Sequence, residues 1–366
     1  MQPNNELALD LENPQVHLAL EPGIQIEPNK PESQSFSFYR QSILKALPAS
    51  VFAPNRLRLV NYAVCGAISL GAVAFIVLAN PSWPVKLALG LLIGLCNGLL
   101  GFLTHEISHG TVVKNKKLQN VLAFFGMQPF FITPTFWRYS HNRLHHGKSQ
   151  KLIEDPDAFP NMRVFKHSRF LQKAAPFLPG SGHKRSYLYF TYWLSFNYIM
   201  AQTSFRFKNR IYDSLNHRAV TLELIGQALI AVAFLALTGP SNWFWVLVIP
   251  FLTQNYLVMS YISTNHNLSP LTSENNPFVN SLSVTNHPVL EMLHLNFGYH
   301  VEHHLFPTIN GKNIKHVHAQ ILAQFPTQYK TMPKAEAIRR LYSTARIYKN
   351  SNTLINPVTQ QTYETL

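Results

Sequence analysis

Histidines recur in this chain at spacings that suit metal chemistry. His105-Glu-Ile-Ser-His109, His141-Asn-Arg-Leu-His145-His146 and His300-Val-Glu-His303-His304 form three clusters, and His266 stands alone in Thr264-Asn265-His266-Asn267. On a helix, positions i, i+3 and i+4 share a face, so each cluster can point several imidazoles one way. Adjacent histidines diverge by about 100° at 3.6 residues per turn, so a double histidine can serve two neighbouring ions. Neutral imidazole binds iron, zinc and copper. Eight clustered histidines exceed what one four-coordinate ion can use, whereas two ions with three or four nitrogen ligands each would take them all, with His266 as a ninth. A site so rich in nitrogen and poor in carboxylate differs from the di-metal site of helical bundles, which is built on glutamates and paired Glu-x-x-His motifs.

One cluster admits a second reading. His105-Glu106-Ile107-Ser108-His109 also fits H-E-x-x-H, in which two histidines hold zinc and the glutamate is the general base of a metalloprotease. A single zinc with three protein ligands and a water would leave the other two clusters without a role. The remaining histidines, among them His17, His167, His183, His217, His287, His316 and His318, read as solvated surface residues.

The elements that position these clusters are apolar. Of 366 residues, 46% are hydrophobic and only 13% charged, about half the usual charged share. Four stretches, residues 59–79, 84–104, 219–238 and 243–263, have the length needed to cross a bilayer, roughly 20 residues. The short turns at 80–83 and 239–242 join them as two hairpins, and Lys86 lies close enough to the first turn to reach outward to the interface. The turns carry no Lys or Arg, while Arg56, Arg58, Lys114, Lys116, Lys117, Lys208, Arg210 and Arg218 flank the opposite ends. The positive-inside rule therefore puts both termini and every histidine cluster on the cytoplasmic face. The expected architecture is an all-α integral membrane protein: four transmembrane helices as two hairpins, with a cytoplasmic helical cap holding the metal site.

Two further segments are apolar without being clean spans. Residues 118–136, interrupted by Pro129 and Pro134, suit a re-entrant or interfacial segment; aromatic residues 187–205 suit a helix in the membrane plane. Residues 1–37 are polar and mostly acidic, so the domain reading is a disordered tail over 1–50, a membrane domain over 51–330 and a cytoplasmic tail over 331–366. Cys65 and Cys96 lie in apolar stretches and read as packing residues. The formal net charge of +14 suits anionic lipid headgroups; no zinc knuckle, RNP-like strand or basic helix supports nucleic acid.

The three histidine clusters, their order and the hairpin plan resemble the membrane-bound fatty acid desaturase family from about residue 55 to 330, most specifically in Asn296-Phe-Gly-Tyr-His300-Val-Glu-His303-His304-Leu-Phe-Pro307. Phe136-Trp137-Arg138-Tyr139 and Glu154-Asp155-Pro156-Asp157 are also similar to family members. The resemblance implies two iron ions held by His105, His109, His141, His145, His146, His300, His303 and His304, with His266 at the position of an extra histidine after the last span. It also implies O₂ as oxidant and a long-chain acyl substrate, with Asn265 or Asn296 as a candidate to hold a bridging water. No His-Pro-Gly-Gly haem motif occurs, so the expected electron donor is a separate ferredoxin or cytochrome b5.

An unactivated methylene offers no acidic proton, so a metal–oxygen oxidant must do the hard step. Desaturation is the leading expectation; hydroxylation of an acyl or sphingolipid chain and carotenoid oxygenation use the same metal chemistry. A non-enzymatic lipid or metal carrier is the remaining alternative. Glu106, Glu302 and Asp157 are candidates to orient ligating imidazoles through their second N–H, with plain solvation as the competing role. A bacterial inner membrane is preferred over endoplasmic reticulum.

Overall fold

The computed structural model describes residues 34–366, and among them helices dominate. Four are long and apolar enough to cross a membrane: Arg58–Ala79, Trp83–Ser108, His217–Thr238 and Phe244–His266. The second and fourth are the inner pair, with 61% and 56% of their apolar windows buried against 22% and 11% for the first and third. The first and third helices thus offer Leu70, Leu78, Leu229 and Leu237 outward, as lipid-facing helices do.

Glycine sets how the inner pair meets. A Cβ at Gly90 would lie 2.7 Å from the Trp245 carbonyl oxygen, one at Gly94 2.5 Å from Thr253 Cβ, and one at Gly98 2.7 Å from Leu257 Cδ2. Small residues at this spacing let the backbones touch. The contacts advance together along both helices, so the two run parallel. Both continue past the expected boundaries at residues 104 and 263, and His105 and His266 occupy their last turns. Asn97 bridges them at mid-depth, accepting from Ser69 Oγ at 3.0 Å and donating to Gln254 Oε1 at 2.9 Å.

At the far end, Asn80 closes the first helix in the left-handed region at φ 44°. Lys86 does not reach outward to an interface, as its position in sequence suggested. It is buried, and its Nζ donates to Asn80 Oδ1 at 2.6 Å and Asn242 Oδ1 at 3.4 Å, so both turns lie at one end of the bundle.

Residues 116–137 form a helix, Lys116–Met127, then a broken stretch and a short helix, Pro134–Trp137. Glutamines satisfy the freed backbone groups, as buried irregular backbone requires. Gln227 Nε2 donates to the Ile132 carbonyl at 3.0 Å, and Gln202 Oε1 accepts from Thr133 N at 3.1 Å. The helix Tyr189–Thr203 packs against the helix Phe244–His266, and Asn255 Oδ1 accepts from Ser195 N at 3.0 Å.

Both expected tails need correction where they are described. Residues 1–33 lie outside the described residues, but Phe36–Ala46 is a helix capped by Ser35, with Tyr39 and Ile43 buried against Phe278, Val317 and Ile321. Residues 331–366 pack against the rest of the described chain. Thr331–Pro333 pairs in parallel with Ser283–Thr285, and Ile347–Tyr348, Thr353–Ile355 and Thr362–Glu364 form an antiparallel sheet. Leu341, Ile347, Tyr348 and Leu354 join the core that contains Phe102 and Trp137. Hydrophobic alternation over so few residues is too brief to separate a packed strand from a tail. Cys65 and Cys96 are buried and unbridged.

Candidate metal centre

All nine histidines singled out above meet at the ends of the two inner helices and sort into two clusters. His105, His109, His141, His146 and His303 form the first; His145, His266, His300 and His304 form the second, with the candidate ligand atoms in each within 4.8 Å of one another. In the first, Nε2 atoms stand 3.0 Å apart for His105 and His141, and 3.1 Å for His141 with His146 and for His146 with His303. In the second they stand 3.1 Å apart for His145 and His266, 2.6 Å for His266 and His300, and 3.1 Å for His300 and His304. Ligands about 2.1 Å from one ion lie about 3 Å apart when adjacent and about 4.2 Å when opposite, so these spacings suit a single ion in each cluster.

The backbone explains the sorting. Arg138–His145 is π-helical, a wider turn than the α-helix on which i and i+4 align. His141 therefore joins His146, five residues on, rather than His145. In the third box, His300 and His304 share a face of the helix His300–Leu305, while His303 turns to the other cluster. The two double histidines each contribute one imidazole to either side.

Proton positions argue for a bound cation. His145 Nδ1 donates to Asp155 Oδ1 at 3.0 Å, and His266 Nδ1 donates to the Asn280 carbonyl at 3.3 Å. With those protons on Nδ1, both Nε2 atoms present lone pairs to each other across 3.1 Å. Two facing lone pairs repel unless a metal ion, or a proton on one Nε2, lies between them. His109 Nε2 is likewise buried without a hydrogen-bond partner. Burial, reinforced by neighbouring imidazoles, holds His141, His146, His300, His303 and His304 well below the usual histidine range, and burial takes His109 to about 3. They are neutral at pH 7, the form that binds metal. His145 is the exception: burial opposes its charge, but Asp155 and Asp157 outweigh burial and raise it.

Asp155 is the residue that sequence reading passed over. It is buried, and it accepts from Gln150 N at 2.7 Å and Asp157 N at 3.0 Å while holding His145. Its place in Glu154-Asp155-Pro156-Asp157, ten residues beyond His145, was the available signal. Asp157 lies farther, at 3.4 Å from His145 Nδ1. Glu106 and Glu302 orient no clustered imidazole. Glu106 pairs with Arg58 at 3.3 Å and accepts from Gly311 N at 3.2 Å, so it is not poised as a protease base. Glu302 accepts from Ser283 Oγ at 2.6 Å, and Ser283 Oγ in turn accepts from His300 N at 3.0 Å, which fixes the start of the third box. His318, expected at the surface, hydrogen-bonds Glu302 at 2.8 Å. His294 stays outside both clusters, bonded to Tyr261 OH at 2.8 Å. Asn265 is fully buried with both amide atoms unpartnered, while Asn296 Nδ2 donates to Gly311 O at 2.8 Å.

A narrow slot of about 50 Å³ runs beside both clusters, between Phe130, Trp137, Leu194, Val258 and Phe297. Its walls are apolar apart from the imidazoles, Asp157 and Tyr198. A larger chamber of about 850 Å³ adjoins it, and Asp157, Leu194, Tyr198 and Ile262 line both spaces.

The family model described as fatty acid desaturase matches residues 81–335. The omega-6 fatty acid desaturase, chloroplastic, of Arabidopsis thaliana is 23% identical over 77% of this chain and 63% of its own length; that of Spinacia oleracea is 23% identical over 86% and 71%. The sn-1 acyl-lipid omega-3 desaturase (ferredoxin) of a Synechocystis strain is 28% identical over 36% of each chain. This chain therefore spans a little under two thirds of the Arabidopsis relative. With the family model covering more than two thirds of its residues and every boxed histidine gathered at one place, the chain belongs to the fatty acid desaturase family.

Proposed function

We propose that this protein is an O₂-dependent di-iron desaturase that introduces a double bond into a long-chain acyl lipid. The observation that carries the reading is the pair of imidazole clusters, five and four strong, opening onto one apolar slot. His105, His109, His141, His146 and His303 would hold one iron, and His145, His266, His300 and His304 the other. Bound iron supplies the oxidising power that no side chain has. Desaturation removes two hydrogens from adjacent carbons while O₂ is reduced to two waters, with two electrons and two protons supplied from outside.

The chain's own residues do the rest. Trp137, Leu194 and Phe297 hold the methylenes and keep water from the slot. Asp155 keeps the His145 proton on Nδ1. The four apolar helices form two membrane hairpins with the cap on the cytoplasmic side, a reading supported by the cation-free turns and the basic opposite ends. A bacterial inner membrane is the preferred setting. A separate ferredoxin or cytochrome b5 delivers the electrons, and a basic surface suits an acidic donor of either kind.

The test is a mass-spectrometric lipid profile of a host expressing the chain with a reductase, beside one expressing His303→Ala. An acyl species two mass units lighter, absent from the variant, is the expected result. A species sixteen units heavier would instead establish hydroxylation, and no new species would remove the acyl-oxidation reading.

A further inference from the structure

One stretch of the chain is electrically unlike the rest. Between Asp157 and Asp213 there is no acidic residue, while nine residues are Lys or Arg and fourteen are aromatic. This stretch walls the 850 Å³ chamber through the short helices Met162–His167 and Arg169–Ala174 and the helix Tyr189–Thr203. Phe170 closes the gap between them, its ring edge-on to Phe205 at 6.3 Å and stacked on Phe196 at 6.4 Å. Phe170, Phe205 and Phe207 remain exposed among the cations. Exposed aromatics interleaved with basic residues are the composition of a surface that sits in an anionic lipid interface.

The exposed and the buried parts of the chamber's lining carry opposite charge. Lys208 and Arg210 line the exposed part, and neither pairs with a carboxylate among the described residues. Asp155 and Asp157 line the buried part, beside the neck at Leu194 and Ile262 that leads to the slot. An anionic group is drawn to the exposed part and repelled from the buried one. Arginine offers a planar fork and lysine a mobile point charge, a pairing suited to phosphate oxygens. The chamber's volume lies within the range of about 300–1,000 Å³ common to ligand sites and far exceeds the slot's.

We propose that the chamber seats the headgroup end of a phosphate-bearing anionic acyl lipid, its phosphate held by Lys208 and Arg210 and its chain passing Leu194 and Ile262 into the slot. This rests on the acyl-lipid reading given above and names the carrier. A coenzyme A thioester shares the phosphate chemistry but arrives from water; an uncharged or zwitterionic lipid lacks the net charge that the outer cations select.

The full-length protein is purified and its bound lipids identified by mass spectrometry. It is then reconstituted with its two irons and a reductase in vesicles of equal phosphatidylglycerol and phosphatidylcholine bearing the same acyl chains. Bound lipid and new double bonds are both expected to favour phosphatidylglycerol. Lys208→Ala with Arg210→Ala should lower that preference about tenfold, while the exposed Arg339→Ala control leaves it unchanged. Leu194→Trp should block the neck, cutting conversion at least tenfold while the bound lipid keeps its headgroup profile. An unaltered preference in the double variant, or conversion confined to added acyl-coenzyme A, overturns the proposal. If no carrier is desaturated yet anionic lipid still co-purifies in a Lys208- and Arg210-dependent way, the headgroup site stands and the desaturase reading falls.

Discussion

The two imidazole clusters differ in what stands behind them. In the second, all four histidines are buried, and hydrogen bonds to Asp155, Asn280 and Ser149 engage the Nδ1 sides of His145, His266 and His304. In the first, His109, His146 and His303 are only partly buried, and His146 Nδ1 has no partner. A ligand whose far nitrogen is tied down is oriented before the ion arrives. The second cluster is thus preorganised, whereas the first depends on the ion to complete it.

Removing one ligand from each side gives the largest effect. His303→Ala and His300→Ala should each lower desaturation more than a hundredfold, beyond the effect of losing a supporting residue, with membrane insertion unchanged. Metal retention should separate them. After a chelator wash, His303→Ala is expected to keep close to one metal ion per chain in the intact second cluster, and His300→Ala distinctly less. Equal retention, measured by elemental analysis, would erase the distinction between the clusters.

A smaller effect tests the support itself. Asp155→Ala leaves every ligand in place but frees His145 to rotate and change tautomer, so metal affinity should fall about 10- to 100-fold. Asp157→Ala, at 3.4 Å rather than 3.0 Å from Nδ1, should cost less. A competitive chelator titration reads both. Identical affinity in Asp155→Ala and the parent chain would mean that packing alone orients His145.

Much of this was legible in the sequence because composition and spacing are local. Four spans, the turn positions and all nine histidines are short-range patterns. The sorting was not legible. It depends on the π-helical turn at Arg138–His145, which shifts the partner of His141 from i+4 to i+5, and a preference for that turn leaves no mark in hydrophobic periodicity. Asp155 was hidden for a related reason: its partner is set by how residues 149–157 fold back on the box. Lys86 shows the opposite failure, since a rule for cations near an interface said nothing of two asparagines from separate turns.

The glycine contacts offer a way to disturb the clusters from a distance. Gly94→Val would drive a side chain into Thr253 and the backbone of Pro250. Overpacking of this kind costs about 1–3 kcal/mol, and the fourth spanning helix must shift to relieve it. His266 moves with that helix, so the second cluster should lose metal before the first. A melting temperature lowered by several degrees with second-cluster occupancy unchanged would show that the helix relaxes locally and that His266 is placed by its contact with Asn280 instead.

The smallest effect comes from protons. In the metal-free chain His109, His141, His146, His300, His303 and His304 are held below the unfolded value of about 6.5. Below that pH the unfolded chain binds more protons than the folded one, so stability should fall as pH drops from about 7 toward 5. His145 works the other way: its raised value means the folded state holds a proton more tightly, a contribution present at low pH and lost as pH rises through the folded value. Asp157, pushed by burial to about 6, also favours the folded state as pH falls from about 6 to 4. The carboxylates behind the second cluster thus offset part of an acid sensitivity that the first cluster carries in full. Melting temperatures of the metal-free protein in detergent at pH 7.5 and 5.5 should differ by a few degrees, and Asp155→Asn should widen the gap by removing the support for the His145 charge. A gap that Asp155→Asn leaves unchanged would mean that the offset lies elsewhere, and the contrast between the clusters would then rest on metal retention alone.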